Sequence, residues 1–176
     1  VMDSYYKYPF VKVSTLNEWS ELKEILRDKF KKVKLPKKLN IIVSAIKEEK
    51  NLTLKLKRLY LWINENFTYF GYWNRAGGGY SPRDIETILN SKFIDCKDVS
   101  YLAVLILQEV GVNASEALVS RGQDPSDTSY QLVSPRHFNH MIVYLKHKDQ
   151  NLWLDFTNPF FGNGYIYNDI LLLSLI

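Results

Sequence analysis

The chain lacks the residues that would staple, cage or anchor it. One cysteine stands among 176 residues, so no internal disulfide can form and a thiolate-rich zinc site is excluded. Three histidines are present, without the paired ligands at short spacing that metal sites show. No apolar run approaches the ~20 residues of a membrane span. No internal repeat or low-complexity segment occurs, and eight glycines and six prolines are too few for a fibrous or linker-like chain. Neither sign of charge dominates: 23 Lys and Arg face 19 Asp and Glu, for a net charge of +4. The excess gathers in Lys29-Phe30-Lys31-Lys32-Val33-Lys34 and Lys37-Lys38, which fits a solvated helix end. With no stacking motif and no regular basic stripe, a nucleic-acid partner is not expected.

What is present is enough for one domain with a real core: 46% of residues are hydrophobic and 14% aromatic, with twelve Tyr and four Trp. Helical spacing of Trp19, Leu22, Ile25, Leu26 and Phe30 predicts a helix over 18–33, capped by Thr15 or Asn17 and ended by Pro36. A second helix is expected over 38–49 and a third over 53–67. The segment from Tyr69 to Pro82, with Gly77-Gly78-Gly79, reads as a loop. A short helix over 83–91 follows, with Ser81 as cap and Pro82 as first residue. Asp95 then opens a helix that is apolar all round from Val99 to Val110, hence buried, and Gly111 stops it. Asp98, three residues after Asp95, resembles the second half of a capping box. Beyond it the period becomes two: strands are expected over 115–121, 140–146 and 152–157, the last two joined at Lys148-Asp149-Gln150-Asn151. Helices followed by an antiparallel sheet make an α+β arrangement.

The lone Cys96 lies in the first turn of the buried helix. A helix N-terminus favours anionic sulfur, which points to a lowered thiol pKa; a small buried core residue is the plain alternative. A thiol nucleophile needs a base, and the base needs an orienting partner. His147 falls at the hairpin end and His137 in a loop, both read as surface residues. His140 opens a strand, and Asp155 sits between apolar residues on the neighbouring one, where a carboxylate needs a partner. Symmetric pairing about Asp149-Gln150 would set Asp155 opposite Tyr144, so a bulge, an asymmetric turn or a diagonal approach must bring it to His140. A metal site from Cys96, His137 and His140 is the weaker reading, and no metal or other cofactor is expected.

Ile94-Asp95-Cys96-Lys97-Asp98, Phe138-Asn139-His140 and Trp153-Leu154-Asp155-Phe156-Thr157, in that order, resemble the three motifs of the transglutaminase-like superfamily. The likeness is to its bacterial branch, where this core follows a β-rich domain of unknown function; Tyr80-Ser81-Pro82-Arg83 with Ile88-Leu89 also matches, and the likeness runs from about Trp62 to Thr157. It implies a papain-like fold, with Cys96 at a helix N-terminus against a sheet carrying His140 and Asp155. It implies acyl transfer through a Cys96 thioester, with His140 as base and Asp155 as its orienter, acting on a peptide or protein, a glycan-linked peptide included. Related enzymes often use a Gln or an aromatic donor upstream of the cysteine as oxyanion donor; no Gln precedes Cys96, and Trp73 and Tyr80 are the candidates. Pro9 to Trp19 resembles the linker leaving the upstream domain, so 1–15 is expected to be linker and 16–176 a domain cut short at its end, in a bacterial envelope or secreted protein. The branch has Gly where this chain has Ile94, and Pro where it has Phe156. If that Gly served a positive φ, Ile94 would be strained. The alternative to an enzyme is a catalytically silent domain of the same fold serving as a binding module.

Overall fold

The computed structural model describes residue 11 and residues 13–30, 32–71, 79–122, 132–158 and 170–175, the last six as backbone. Five helices precede or flank a four-stranded antiparallel sheet, as the α+β expectation holds. Helix α1 spans Trp19–Arg27, a 3-10 turn Lys37–Leu39 leads into α2 (Asn40–Lys47), and α3 covers Leu52–Asn66. Then come β1 (Thr68–Tyr69), α4 (Ile85–Asn90), β2 (Phe93–Ile94) and the central α5 (Cys96–Glu109). The sheet follows as β3 (Ala114–Arg121), β4 (His140–His147), β5 (Gln150–Leu154) and β6 (Ile170–Leu175), in spatial order β5-β4-β3-β6.

Helix α1 is shorter than expected. Neither Thr15 nor Asn17 caps it; Glu18 is the N-cap, without a side-chain bond. After Arg27 the backbone tightens to three-residue bonds, Lys29 to Leu26 and Phe30 to Arg27, where lysines three apart repel along any continued helix. Ile25, expected inward, is exposed. The short helix starts later than expected: Asp84, not Ser81, caps α4 by accepting the Thr87 N–H at 2.9 Å. Asn51 caps α3 in the same way through Leu54.

Helix α5 holds the domain together. Every residue from Cys96 to Leu107 is buried. Its end is a Schellman motif, with Val112 N–H on Leu107 O at 2.9 Å, Gly111 N–H on Gln108 O, and Gly111 at φ 81. The core that α5 runs through joins Ile46, Leu59 and Ile63 of α2 and α3 with Ala114, Val143, Leu145 and Leu154 of the sheet. A two-stranded parallel ribbon, not foreseen, pairs Thr68 with Phe93 and Tyr69 with Ile94. It feeds directly into Asp95 and Cys96. Ile94 is therefore extended and buried rather than in the left-handed region; among the described residues Lys148 alone is a non-glycine with positive φ. The strain feared at Ile94 is absent.

Candidate active site

Asp95 has extended backbone (φ -99, ψ 179), and its Oδ1 accepts the N–H groups of Lys97 and Asp98, each at 3.0 Å. That cap sets Cys96 in the first turn of α5. Asp98 does not serve as the return arm of a capping box: both its oxygens are engaged by Arg83, whose backbone N–H and Nε each donate at 2.7 Å. Arg83 also donates through Nη2 to Phe93 O at 2.6 Å. Ser81-Pro82-Arg83 is thus clamped to the turn that carries the thiol.

The helix is pinned to β4 beside His140. Ser100 Oγ, one turn after Cys96, donates to Met141 O at 3.1 Å, and the Met141 N–H donates to the Cys96 sulfur. Both backbone groups of the residue following His140 are therefore taken by α5. At the head of β4, Asn139 brackets Arg121, accepting its N–H and donating to its carbonyl, each at 2.8 Å.

His140 Nε2–H donates to Asp155 Oδ2 at 2.8 Å, with both side chains nearly or fully buried. Since the carboxylate can only accept, the proton of this bond is on Nε2, and Nδ1 is the nitrogen left outside it. The register explains the meeting. His147 pairs with Gln150 and Val143 with Leu154, so the turn is centred on Lys148-Asp149, one residue earlier than the symmetric reading. Strand β5 ends at Leu154, and by register Asp155 falls opposite Ile142 rather than Tyr144. His140 is the diagonal neighbour on the same face, within reach of a longer side chain. Thr157 holds the other carboxylate oxygen, through its N–H at 2.9 Å and its hydroxyl at 2.6 Å. Phe156 turns into the core against Tyr60 of α3, and the Tyr60 hydroxyl donates to Asn158 O.

Burial disfavours a charged Asp155, but the His140 hydrogen bond and charge, with the Thr157 bonds, hold it below the usual carboxylate range. For Cys96 burial prevails. It pushes the thiol up to about 12, with Asp95 and Asp155 adding to the rise, while Lys97 and the Met141 N–H oppose it. The expected lowering by the helix N-terminus is corrected: Cys96 is 4% exposed, packed among Leu22, Leu26, Leu118, Val133, Phe138 and Met141, and lost hydration outweighs the half-charge of the helix end. The resting sulfur is a thiol.

The other expected residues fare differently. Tyr80 OH donates to Pro135 O at 2.5 Å, so its proton is committed to packing the segment before His140 rather than to an oxyanion. Trp73 lies outside the described residues. His137 is not on the surface but buried, with Nε2 2.7 Å from Leu132 O and its ring against Trp19. It is kept apart from Cys96 and His140 as a ligand, and no group of three metal-ligating side chains occurs among the described residues.

Two residues near the thiol were not foreseen. Lys97 is fully buried, its Nζ 3.0 Å from Asp95 Oδ2; a lysine inside an acidic tetrapeptide gives no sequence signal of burial. Tyr69, on β1 beside Ile94, is 40% exposed as a whole residue, yet its hydroxyl is raised above the ordinary phenol range, by partial desolvation first and then by Cys96 and Asp155. A tyrosine at a loop entry reads as one aromatic among many; the β1–β2 pairing is what aims it.

No family profile matches the chain, and no curated protein matches it. Among solved structures, a crystal structure named as a "putative protease" from Parabacteroides distasonis shares the fold: TM-score 0.60 at 17% identity, over 80% of this chain and 27% of that one. The chain thus corresponds to about a quarter of that protein's length. No helix among the described residues is long and apolar enough to cross a membrane.

Proposed function

We propose that this domain is a cysteine-dependent amide-bond hydrolase or acyltransferase, with the papain-like core of the transglutaminase-like superfamily. The observation that carries the reading is the buried Nε2–H···Oδ2 pair of His140 and Asp155, one residue before Met141, whose backbone bonds to Cys96 and Ser100 of α5; Nδ1 is the ring nitrogen outside that pair. The fold shared with a protein named as a protease supports it.

Nδ1 of His140 takes the Sγ proton as sulfur attacks an amide carbonyl, and the C=O electron pair moves to oxygen. The tetrahedral intermediate collapses, the C–N bond breaks, and the His140 imidazolium returns the proton to the leaving amine. Water attacks the thioester with His140 again as base, and the acid and the free thiol result; an amine in place of water gives transamidation. Asp155 keeps the tautomer and stabilises the imidazolium. The raised thiol means that ionisation and attack are coupled to proton transfer rather than preceded by it. Trp73 and the hydroxyl of Tyr69 are the donors proposed for the oxyanion. The acyl group comes from a peptide or protein, a glycan-linked peptide being one form, and the upstream linker assigned to 1–15 belongs to the same proposal.

The burial of Cys96 favours one other reading, a silent domain of this fold that binds without chemistry. Acyl trapping separates the two. With p-nitrophenyl acetate as donor, intact mass spectrometry should detect an acetyl adduct on the wild type. The adduct should be absent in Cys96→Ala and strongly slowed in His140→Ala. A wild type that never acylates, with His140→Ala indistinguishable from it, would leave only the silent domain.

A further inference from the structure

Lys97 directly follows Cys96, and its side chain is 0% exposed. Lysine is almost never fully buried unless paired, because stripping an ammonium of water costs several kcal/mol. Its ammonium forms an ion pair with Asp95, at 3.0 Å from Oδ2, while Oδ1 of the same carboxylate caps the helix. The cap alone does not call for this: Ser, Thr or Asn satisfies the same N–H groups without a charge, hence without a buried cation. The ion pair instead brackets the thiol, one partner on each side of it in the chain.

Among the described residues, the charged and titratable groups that act on Cys96 include Asp95 and Lys97 on its own turn and Asp155 beyond β5, and Cys96 in turn acts on Tyr69 of β1. Both carboxylates work against a thiolate, and Lys97 works for it. We propose that Lys97 is a positioning residue for the Cys96 thiolate: by pairing with Asp95 it cancels the charge of the cap carboxylate, so that the sulfur can release its proton beside an acid. This rests on reading Cys96 as a nucleophile, and it needs no substrate to be tested.

Cys96 is the single cysteine, so the rate of iodoacetamide alkylation of the folded chain reports it alone. In Lys97→Met the rate at pH 8.5 falls about tenfold, the effect of one unit on the thiol pKa, and Lys97→Arg retains most of the wild-type rate. Asp95→Asn, which keeps an oxygen for the cap, alkylates faster than wild type, and Asp95→Asn with Lys97→Met returns near it. A purely structural lysine would instead lower the melting temperature and leave alkylation unchanged or faster, since a loosened site exposes the thiol. That outcome overturns the inference, and so does an Asp95→Asn rate no higher than wild type, which decides the matter even where Lys97→Met does not fold. Failure of acyl trapping with the alkylation pattern intact would sink the enzymatic reading and spare this one; the reverse pattern would do the opposite.

Discussion

The Tyr69 hydroxyl has no hydrogen-bond acceptor among the described residues, yet it feels the charges of Cys96, Asp155 and Asp95. Its ring lies over Gly71, where an added Cβ would come within 3.4 Å of the hydroxyl oxygen. A phenol held protonated across the working pH range is a donor waiting for an oxygen, and oxyanion donors contribute about a hundredfold in rate. Tyr69→Phe is therefore expected to lower the acylation rate by roughly tenfold to a hundredfold. Stability in urea should change little, because no bond is lost. An unchanged rate would remove Tyr69 from the site. The pairing of His140 with Asp155 joins two residues that the sequence singled out by type and position, an imidazole opening a strand and a carboxylate between apolar residues. Tyr69 was not singled out: its aim depends on pairing with Ile94, 25 positions away along the numbering, and no local pattern encodes that.

Helix α5 and strands β3 and β4 were legible as elements, while β1, β2 and β6 were not, since an apolar run between Asp95 and Gly111 has one reading and two-residue strands leave no periodicity. How the helix start is tied down was not legible either. Arg83 bridges three pieces, the segment before α4, β2 through Phe93 O, and α5 through Asp98. Asp98 is 0% exposed, so Arg83→Met takes the guanidinium bond from a buried carboxylate and keeps the backbone contact from residue 83. Breaking a buried pair from one side typically costs about 3–5 kcal/mol, and a loss near the lower end is expected in urea unfolding because Arg83 itself is partly exposed. Asp98→Asn in the same background should recover part of the loss. A cost below about 1 kcal/mol, the range of surface pairs, would show that the clamp is incidental.

For the molecule as a whole, two carboxylates of opposite behaviour shape stability against pH. Glu116 sits on β3 on the face turned to α5, pairing with Val143 and acting on Tyr101. Burial pushes it up to about 7 from 4.5, opposed only by a backbone N–H. The unfolded chain ionises Glu116 above about 4.5, while the folded chain keeps the proton until about 7. Stability from this group is full below 4.5 and is lost as pH rises through 7, by up to about 3 kcal/mol. Glu116→Gln should flatten that limb and be more stable than wild type at pH 8, by urea midpoint; an unchanged pH 8 midpoint would show that Glu116 is solvated. Asp155 acts in the other direction: its folded pKa is lowered, so its contribution is present above the ordinary carboxylate range and lost as pH falls.

The sequence by itself determined the α+β order, the buried helix with its Asp95 cap and Gly111 stop, and the residue types of a thiol, an imidazole and a carboxylate. These follow from periodicity, capping and chemistry, all of which are local. Tertiary structure decided three things. The turn at Lys148-Asp149 set the register that lets Asp155 reach His140. Dense packing around Cys96 reversed the expected shift of its thiol, because desolvation depends on every neighbour at once. Burial of the whole first turn of α5 hid Lys97 with Asp95, making an exposed-looking charge run into a buried pair next to the sulfur in the chain.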